Sequence, residues 1–166
     1  QNELGQLGTG DNNNRNSLVQ VVESVTAIAA GRHHSLVLKT DGQLFATGGN
    51  EYGQLGTKDN TNRNSMVQVA DKVTTIAAGY FHSLVLKTGG QLYATGINSY
   101  GQLGTGDDTN RNNLVQVADN VTTISAGLYH SLALKTDGQL YATGAAANTQ
   151  WNNTYHTSFV NVPLPE

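Results

Sequence analysis

The sequence predicts an all-β protein made of β-propeller blades, and three observations support this fold class. A block of 48 residues occurs three times, at 1–48, 49–96 and 97–144, and the second and third copies align without a gap. Within each copy, apolar and polar residues alternate in short runs, as expected of β-strands. Glycine-containing pairs separate some of these runs, as in β-hairpins. Four short strands in a repeat of this length are typical of a propeller blade.

The first copy shows the order of the predicted strands. Leu18–Val21 (LVQV) is short and β-prone, and Val25–Gly31 (VTAIAAG) follows it with mostly small side chains. His34–Thr40 (HSLVLKT) alternates, and Asp41-Gly42 then gives a two-residue hairpin signal before Gln43–Gly48 (QLFATG). Blades converge on a central axis, where the inner strand has the least room. We therefore expect the alanine-rich strand to be the innermost.

The repeat resembles that of the regulator of chromosome condensation family over roughly residues 2–144. The motifs that carry the resemblance are GQLG, then AG--HSL-L, then DGQLYA-G, seen together in Tyr100–Gly144. The resemblance implies a seven-bladed β-propeller that acts mostly through protein partners. The chain departs from the family pattern at two positions. Threonine replaces the usual tryptophan at Thr47, Thr95 and Thr143, and the usual proline is replaced at Leu18, Met66 and Leu114.

We treat 1–166 as a single repeat domain in which 145–166 form a degenerate fourth copy and C-terminal cap. The family resemblance implies that LVQV is the outer strand of the preceding blade. Phe159–Val162 (FVNV) would then complete the third blade, with Trp151 as a candidate cap, and Leu18–Val21 would have no blade before it. Three blades do not close a ring, so that both end blades expose an apolar face. We expect further protein to complete the ring.

Composition and charge exclude several classes of function. The chain has 9 basic and 12 acidic residues and a net charge of -3, which gives no reason to expect nucleic acid or an anionic membrane as a partner. No apolar run is long enough to insert into a membrane. The absence of cysteine excludes disulfides and thiolate metal sites. Low lysine content, no cysteine and a first residue other than methionine favour an extracellular or cell-surface protein that is processed or part of a longer chain.

The ionisable residues predict neither catalysis nor a metal site. A catalytic site needs an asymmetric group of side chains, whereas most charges here occupy repeated positions on separate blades. One position is shared by Arg15, Arg63 and Arg111, and another by His34, His82 and His130. We expect each arginine to hold its loop by pairing with the aspartate four residues before it. The histidines are one per blade and too far apart to share a zinc ion, so that each ring is expected to hydrogen-bond to a neighbouring loop. No enzyme activity, cofactor or metal is predicted.

Two polar features leave other interpretations open. The loops GDNNNRN, KDNTNRN and GDDTNRN alternate oxygen ligands as calcium loops do, but they lack the closing glutamate, and Asx-turns explain them more simply. The same repeated loops would suit a lectin with one sugar site per blade. Asn120 and Asn152 begin glycosylation sequons, which are expected by chance in a chain so rich in asparagine and threonine.

The loops that differ among the copies form the candidate binding surface. One set precedes each HSL motif and the other precedes each GQLG motif, and both are expected at the blade rims. Varied aromatic and arginine side chains are good anchors for a protein partner. The candidate residues are Arg32, His33, Glu51, Tyr52, Tyr80, Phe81, Tyr100, Leu128 and Tyr129.

Together these features predict a non-enzymatic propeller module for protein interaction, which is part of a larger or multimeric assembly. The partner is another protein or other copies of the chain, in an oligomer, a filament or a longer propeller. One alternative is a structural surface or appendage protein that polymerises through its blade faces. The other alternative is a carbohydrate-binding propeller.

Overall fold

A computed structural model describes residues 1–145 and 155–163, and all regular elements in these ranges are β-strands. The strands are β1 (Val25–Ala30), β2 (His34–Lys39), β3 (Leu44–Gly48), β4 (Arg63–Ala70), β5 (Val73–Ala78), β6 (His82–Lys87), β7 (Leu92–Gly96), β8 (Arg111–Ala118), β9 (Val121–Ala126), β10 (His130–Lys135), β11 (Leu140–Gly144) and β12 (His156–Asn161). Trp151 and Asn152, singled out from the sequence, lie outside the described residues.

The strands form three four-stranded antiparallel sheets, each of which is one blade, and this confirms the predicted fold class. The sheet orders are β1-β2-β3-β4, β5-β6-β7-β8 and β9-β10-β11-β12. The fourth strand of each blade comes from the next copy along the chain, so that β4 belongs to the first blade and β8 to the second. In the third blade β12 takes this outer position. Leu18–Val21 lies in no strand, and Leu18 is fully exposed.

The hairpin between β2 and β3 is one residue longer than the sequence predicts. The Lys39 N–H donates to the Gln43 carbonyl, and the Gly42 N–H donates to the Lys39 carbonyl, which leaves three residues in the loop. Gly42 has a φ of 83°, whereas Asp41 keeps an ordinary negative φ. A two-residue turn of the Asp-Gly type needs positive φ at both residues, so that the chain uses a three-residue loop with glycine in the left-handed position instead.

The alanine-rich strands are the inner strands, as predicted. β5 contacts both β1 and β9, the corresponding strands of the neighbouring blades. Small side chains allow these strands to approach one another near the axis.

The apolar core lies between blades, because each blade has two different apolar faces. The leucine face is formed by Leu36, Leu38 and Leu44 in the first blade and by their equivalents in the others. The valine face is formed in the second blade by Val73, Ile76 and Val85. The first joint packs the leucine face of blade one on the valine face of blade two, and the second joint repeats this arrangement between blades two and three. At the two ends of the described structure, one valine face and one leucine face therefore have no further blade packed against them.

The described part of the chain contains no helix of the length and hydrophobicity that crossing a bilayer requires.

Candidate functional site

One rim of the blades carries a continuous row of aromatic side chains, called here the aromatic band. It consists of Tyr52, Phe81, Tyr80, Tyr129, Tyr100 and Tyr155, in this spatial order. Neighbouring ring centroids are 5.0, 4.7, 6.3, 5.0 and 6.4 Å apart along the row. The rings are tilted or edge-to-face, which are favourable arrangements for aromatic pairs. Loops from separate copies thus form one surface.

The repeat itself places the band residues. Tyr80 and Phe81 lie between β5 and β6, and Tyr129 lies in the equivalent loop between β9 and β10. Tyr52 and Tyr100 precede the GQLG motif, where each backbone N–H donates to a buried glutamine side chain at 3.0 and 2.9 Å. Leu4 makes the same backbone hydrogen bond to Gln6 in the first copy, so that this loop contact repeats while the rim side chain changes from leucine to tyrosine.

The first-blade end of the band is cationic. The guanidinium carbon of Arg32 lies 4.6 Å from the ring centroid of Tyr80 and 5.5 Å from that of Phe81, which is cation–π geometry. The His33 ring lies 6.1 Å from the Phe81 ring. The other two copies have Tyr80 and Leu128 where the first has Arg32, so that the band has a cationic end and a tyrosine-rich end.

An open cleft of about 770 Å³ adjoins the cationic end of the band. Arg32, Glu51, Tyr52, Asn60 and Phe81 are among its lining residues. The cleft thus combines a cation, a carboxylate, an amide and two aromatic rings. Such a mixture offers apolar contact and hydrogen bonds side by side, as ligand and peptide sites do.

All nine candidate binding residues lie on this rim, in the band or beside it. Leu128 is exposed next to Tyr129, and Glu51 lines the cleft next to Tyr52. Tyr155 extends the band but was missed from the sequence, because it lies in the tail, where the repeat pattern no longer gives a register.

His34 and His82 lie away from the band, in the joints between blades. His34 Nε2 is 2.9 Å from Ser83 Oγ on β6, and Ser83 Oγ donates to the Gln54 carbonyl at 2.7 Å. Because a hydroxyl has one proton, Ser83 accepts from His34, whose Nε2 is then protonated. His82 and Ser131 repeat this arrangement at 3.0 Å in the second joint. We call the contact the His–Ser bridge; its acceptor is a strand serine of the next blade and not a loop, which corrects the sequence expectation.

Burial keeps both bridging rings neutral. It lowers the pKa of His34 to about 4 and that of His82 to about 3; the charges of neighbouring histidines add smaller effects of the same sign, and the His130 backbone has a smaller opposing effect on the pKa of His82. In both rings the buried Nδ1 has no hydrogen-bond partner, so that protonation there would leave a buried donor unsatisfied.

The histidines do not meet at a common point. His130 is at the third blade, where no further blade covers it, and it makes no His–Ser bridge within the described structure. Among the described residues, no group of three or more His, Asp or Glu side chains is placed to hold a metal ion.

The aspartate loops use their oxygen atoms internally. In the second copy Arg63 contacts Asp59 Oδ2 at 2.6 Å, while Asp59 Oδ1 accepts from the Thr61 N–H, from Thr57 and from Asn50. The backbone N–H of Thr61, followed by Arg63, lowers the pKa of Asp59. Arg15 and Arg111 make the same ion pair with the aspartate four residues earlier. A calcium ion or a sugar would have to displace these contacts.

The sequence did not predict the structural role of two other buried positions, Asn50 and Thr95. Asn50 links its loop through its amide, which donates to Thr57 and to the Asp59 carbonyl, and through Oδ1, which accepts from the Leu55 N–H. Thr95 Oγ1 lies 2.8 Å from the carbonyl oxygens of both Gly53 and Arg111. Both positions are identical in all three copies, which was the available signal.

Comparison with protein-family models matched almost the whole chain. A model described as "Regulator of chromosome condensation (RCC1) repeat" matches 1–38, 41–86 and 89–134, and a second model of the same description matches 25–54, 73–102 and 121–150. Comparison with curated proteins gave no match.

Solved structures of similar fold include propellers from human and yeast. Human WBSCR16 has a TM-score of 0.84 at 21% identity, over 98% of this chain and 46% of that chain. Prp20p from Saccharomyces cerevisiae, described together with its binding to Gsp1p and histones, has a TM-score of 0.75 at 22% identity, over 86% of this chain and 39% of that chain. Yeast RCC1 (Prp20) bound to Kap60 has a TM-score of 0.71 at 24% identity, over 87% of this chain and 39% of that chain. The chain thus spans less than half the length of these proteins.

Proposed function

The chain belongs to the regulator of chromosome condensation repeat family, and from that premise we propose that it is a non-enzymatic β-propeller module that binds other proteins through the aromatic band. The observation that carries the proposal is the unbroken row of rings from Tyr52 to Tyr155. The strands beneath the row repeat almost unchanged, whereas the loops that supply its side chains differ. Aromatic and arginine residues are enriched among the energetic centres of protein interfaces.

The yeast relatives support the class of partner. Prp20p is described as binding Gsp1p and histones, and it has been solved with Kap60 bound to it. We carry over only that the partner is a protein, because this chain covers less than half of the yeast chain.

The chemistry of the band favours an extended segment of a partner protein. Tyrosine rings offer flat apolar contact with little loss of conformational entropy, and each hydroxyl keeps a hydrogen-bonding group at its edge. Asn62 lines the adjoining cleft; its Oδ1 accepts from the Asn50 N–H, and its Nδ2 can donate to a partner backbone carbonyl. Arg32 at the cationic end suits a carboxylate on the same segment.

The test compares two matched tyrosines, each with a cation over its ring. Tyr80 lies in the band beneath Arg32, and Tyr141 lies on β11 with the Lys135 ammonium 4.5 Å from its ring centroid. Proteins captured by the immobilised chain from cells that produce it are purified, and their Kd values are measured by interferometry. We expect Tyr80→Ala to weaken binding at least about tenfold and Tyr141→Ala to leave it within about twofold.

Two results would contradict the proposal. Equal affinities for wild type and Tyr80→Ala would place the binding surface elsewhere. Binding on a glycan array that Tyr80→Ala abolishes would instead assign the band to carbohydrate, since tyrosine rings stack on sugars as well as on peptides.

A further inference from the structure

The same joint between blades occurs twice within the chain. In each case a leucine face packs on a valine face, and a His–Ser bridge crosses from the inner part of one blade to the next. The donor always belongs to the blade with the leucine face, and the acceptor always belongs to the blade with the valine face. The joint is therefore directional, and its two halves are different.

The first blade carries an unused half of this joint, the valine face. Ile28 is 77% exposed, whereas Ile124 at the same repeat position in the third blade is 9% exposed. Val37 on the same face is buried, and it lines a groove together with Val19 and Val21 of the segment before β1. Ser35 Oγ donates to the Gln6 carbonyl at 2.7 Å, as Ser83 does to Gln54, so that its oxygen can still accept from a histidine. The first blade thus presents the acceptor side of a joint.

The third blade carries the other half, the leucine face. Leu134 is 36% exposed, whereas Leu86 at the same position in the second blade is 4% exposed. A Cβ built on Gly127 would lie 2.1 Å from His130 Cε1, which matches the 2.1 Å between a Cβ on Gly79 and His82 Cε1. His130 therefore already has the pose in which His82 donates to a serine.

We propose that copies of this chain associate head to tail, with the leucine face of the third blade of one copy packed on the valine face of the first blade of the next. His130 Nε2 of one copy donates to Ser35 Oγ of the other. A second copy fits because each exposed face is one half of an interface that the chain already forms twice. Two identical faces placed together would pair donor with donor or acceptor with acceptor. The proposal does not depend on what the aromatic band binds.

The segment before β1 has to move when the joint forms. Val19, Val21 and Val22 line an open groove of about 440 Å³ over the valine face. The corresponding residues of the second and third copies lie in β4 and β8, the outer strands of the preceding blades. When two chains associate, residues 18–22 of one chain cannot take this place on the other chain, because β12 already forms the outer strand of its third blade. Because residues 18–22 lie in no strand, their displacement breaks no sheet pairing.

A head-to-tail joint has a consequence for assembly. Such a heterologous contact closes into a ring if the rotation per copy permits, and extends into a filament if it does not.

The test uses two variants that block opposite faces at exposed positions. Ile28→Arg blocks the valine face and Leu134→Glu blocks the leucine face, and both are followed by sedimentation velocity from about 1 to 200 μM, a range that spans micromolar to weaker self-association. We expect the wild-type mass to rise with concentration and each variant alone to remain a 17.6 kDa monomer. An equimolar mixture of the two should form a 1:1 dimer, because one intact face of each kind remains. Asp108→Lys, at an exposed position in the aspartate loop of the third copy, is the control and should behave as wild type.

The bridge is tested in the mixed dimer, in which each partner contributes one half. His130→Ala in the Ile28→Arg partner should weaken the dimer about fivefold, as the loss of one buried hydrogen bond does. Ser35→Ala in the other partner should then add no comparable loss.

Three results would overturn the proposal. A wild type that is monomeric throughout removes the joint. Self-association of either blocked variant shows that another contact is used. If His130→Ala does not weaken the mixed dimer, the two faces do not pack with His130 of one copy against Ser35 of the other.

Discussion

Acid should destabilise the fold because both bridging histidines must stay neutral. In the folded protein, burial lowers the pKa of His34 to about 4 and that of His82 to about 3, from an ordinary value of 6.5. The unfolded chain takes up protons on these rings as the pH falls through 6.5, whereas the folded chain does not. The stability that the neutral rings contribute is therefore complete above pH 6.5 and is lost as the pH falls towards the folded values.

The magnitude follows from the separation of the folded and unfolded pKa values. Each ring contributes about 1.4 kcal/mol per pH unit between its two pKa values. From pH 7 to pH 5 the two rings together lower the free energy of unfolding by about 4 kcal/mol. This loss is a large part of the free energy of unfolding of about 5–15 kcal/mol that is usual for a domain. Carboxyl groups change their ionisation little in this pH range, so that the loss is assigned to the two histidines.

The assay is urea unfolding followed by far-UV circular dichroism at pH 7, 6 and 5. His34→Gln keeps an amide donor for Ser83 but removes one of the two titrating rings. We expect it to reduce the loss of stability between pH 7 and pH 5 to about 2 kcal/mol. A wild type whose midpoint does not change over this range, or a variant with the wild-type pH dependence, would refute the assignment of neutral bridging rings.

The remaining predictions concern stability at pH 7, measured by the same unfolding assay. Gly79→Ala should cost about 3 kcal/mol, because its Cβ would lie 2.1 Å from His82 Cε1 and 2.7 Å from the Gly127 carbonyl oxygen. Gly138→Ala, with a φ of 80° and no atom within 4 Å, should cost only about 1 kcal/mol, and equal costs would contradict the tight joint. Thr95→Val should cost about 1–2 kcal/mol through loss of the buried hydroxyl shared by two carbonyls, and an unchanged midpoint would rule out that role.

The fold follows from the sequence wherever a local pattern repeats. Alternation in HSLVLKT gives β2, β6 and β10, and the glycine-containing turns give the hairpins that follow them. The outer strands were predicted too short, since β4 runs from Arg63 to Ala70 and the motif that corresponds to LVQV covers only Met66–Val69. Residues Arg63–Ser65 are polar and lie at the edge of a sheet, where no apolar alternation marks a strand.

The candidate site was predicted only as separate loops. Tyr80 meets Tyr129 because of the angle between two blades, and no pattern within either loop specifies that angle. The His–Ser bridge was missed for the same reason, since His82 and Ser83 are sequence neighbours yet bond to different blades. The structure explains the threonine in place of the family tryptophan. Thr47 and Thr95 each lie within hydrogen-bond distance of two backbone carbonyls, one in a GQLG motif and one at the start of the adjacent outer strand.

Hydrogen exchange measured at low and high protein concentration would test most directly whether the two end faces are halves of the joint that repeats within the chain. We predict that amides of β1 and β10 exchange more slowly at high concentration, while those of the loops that carry Tyr80 and Tyr129 keep their rates. Unchanged rates in β1 and β10, or protection confined to the aromatic band, would contradict this account of the end faces.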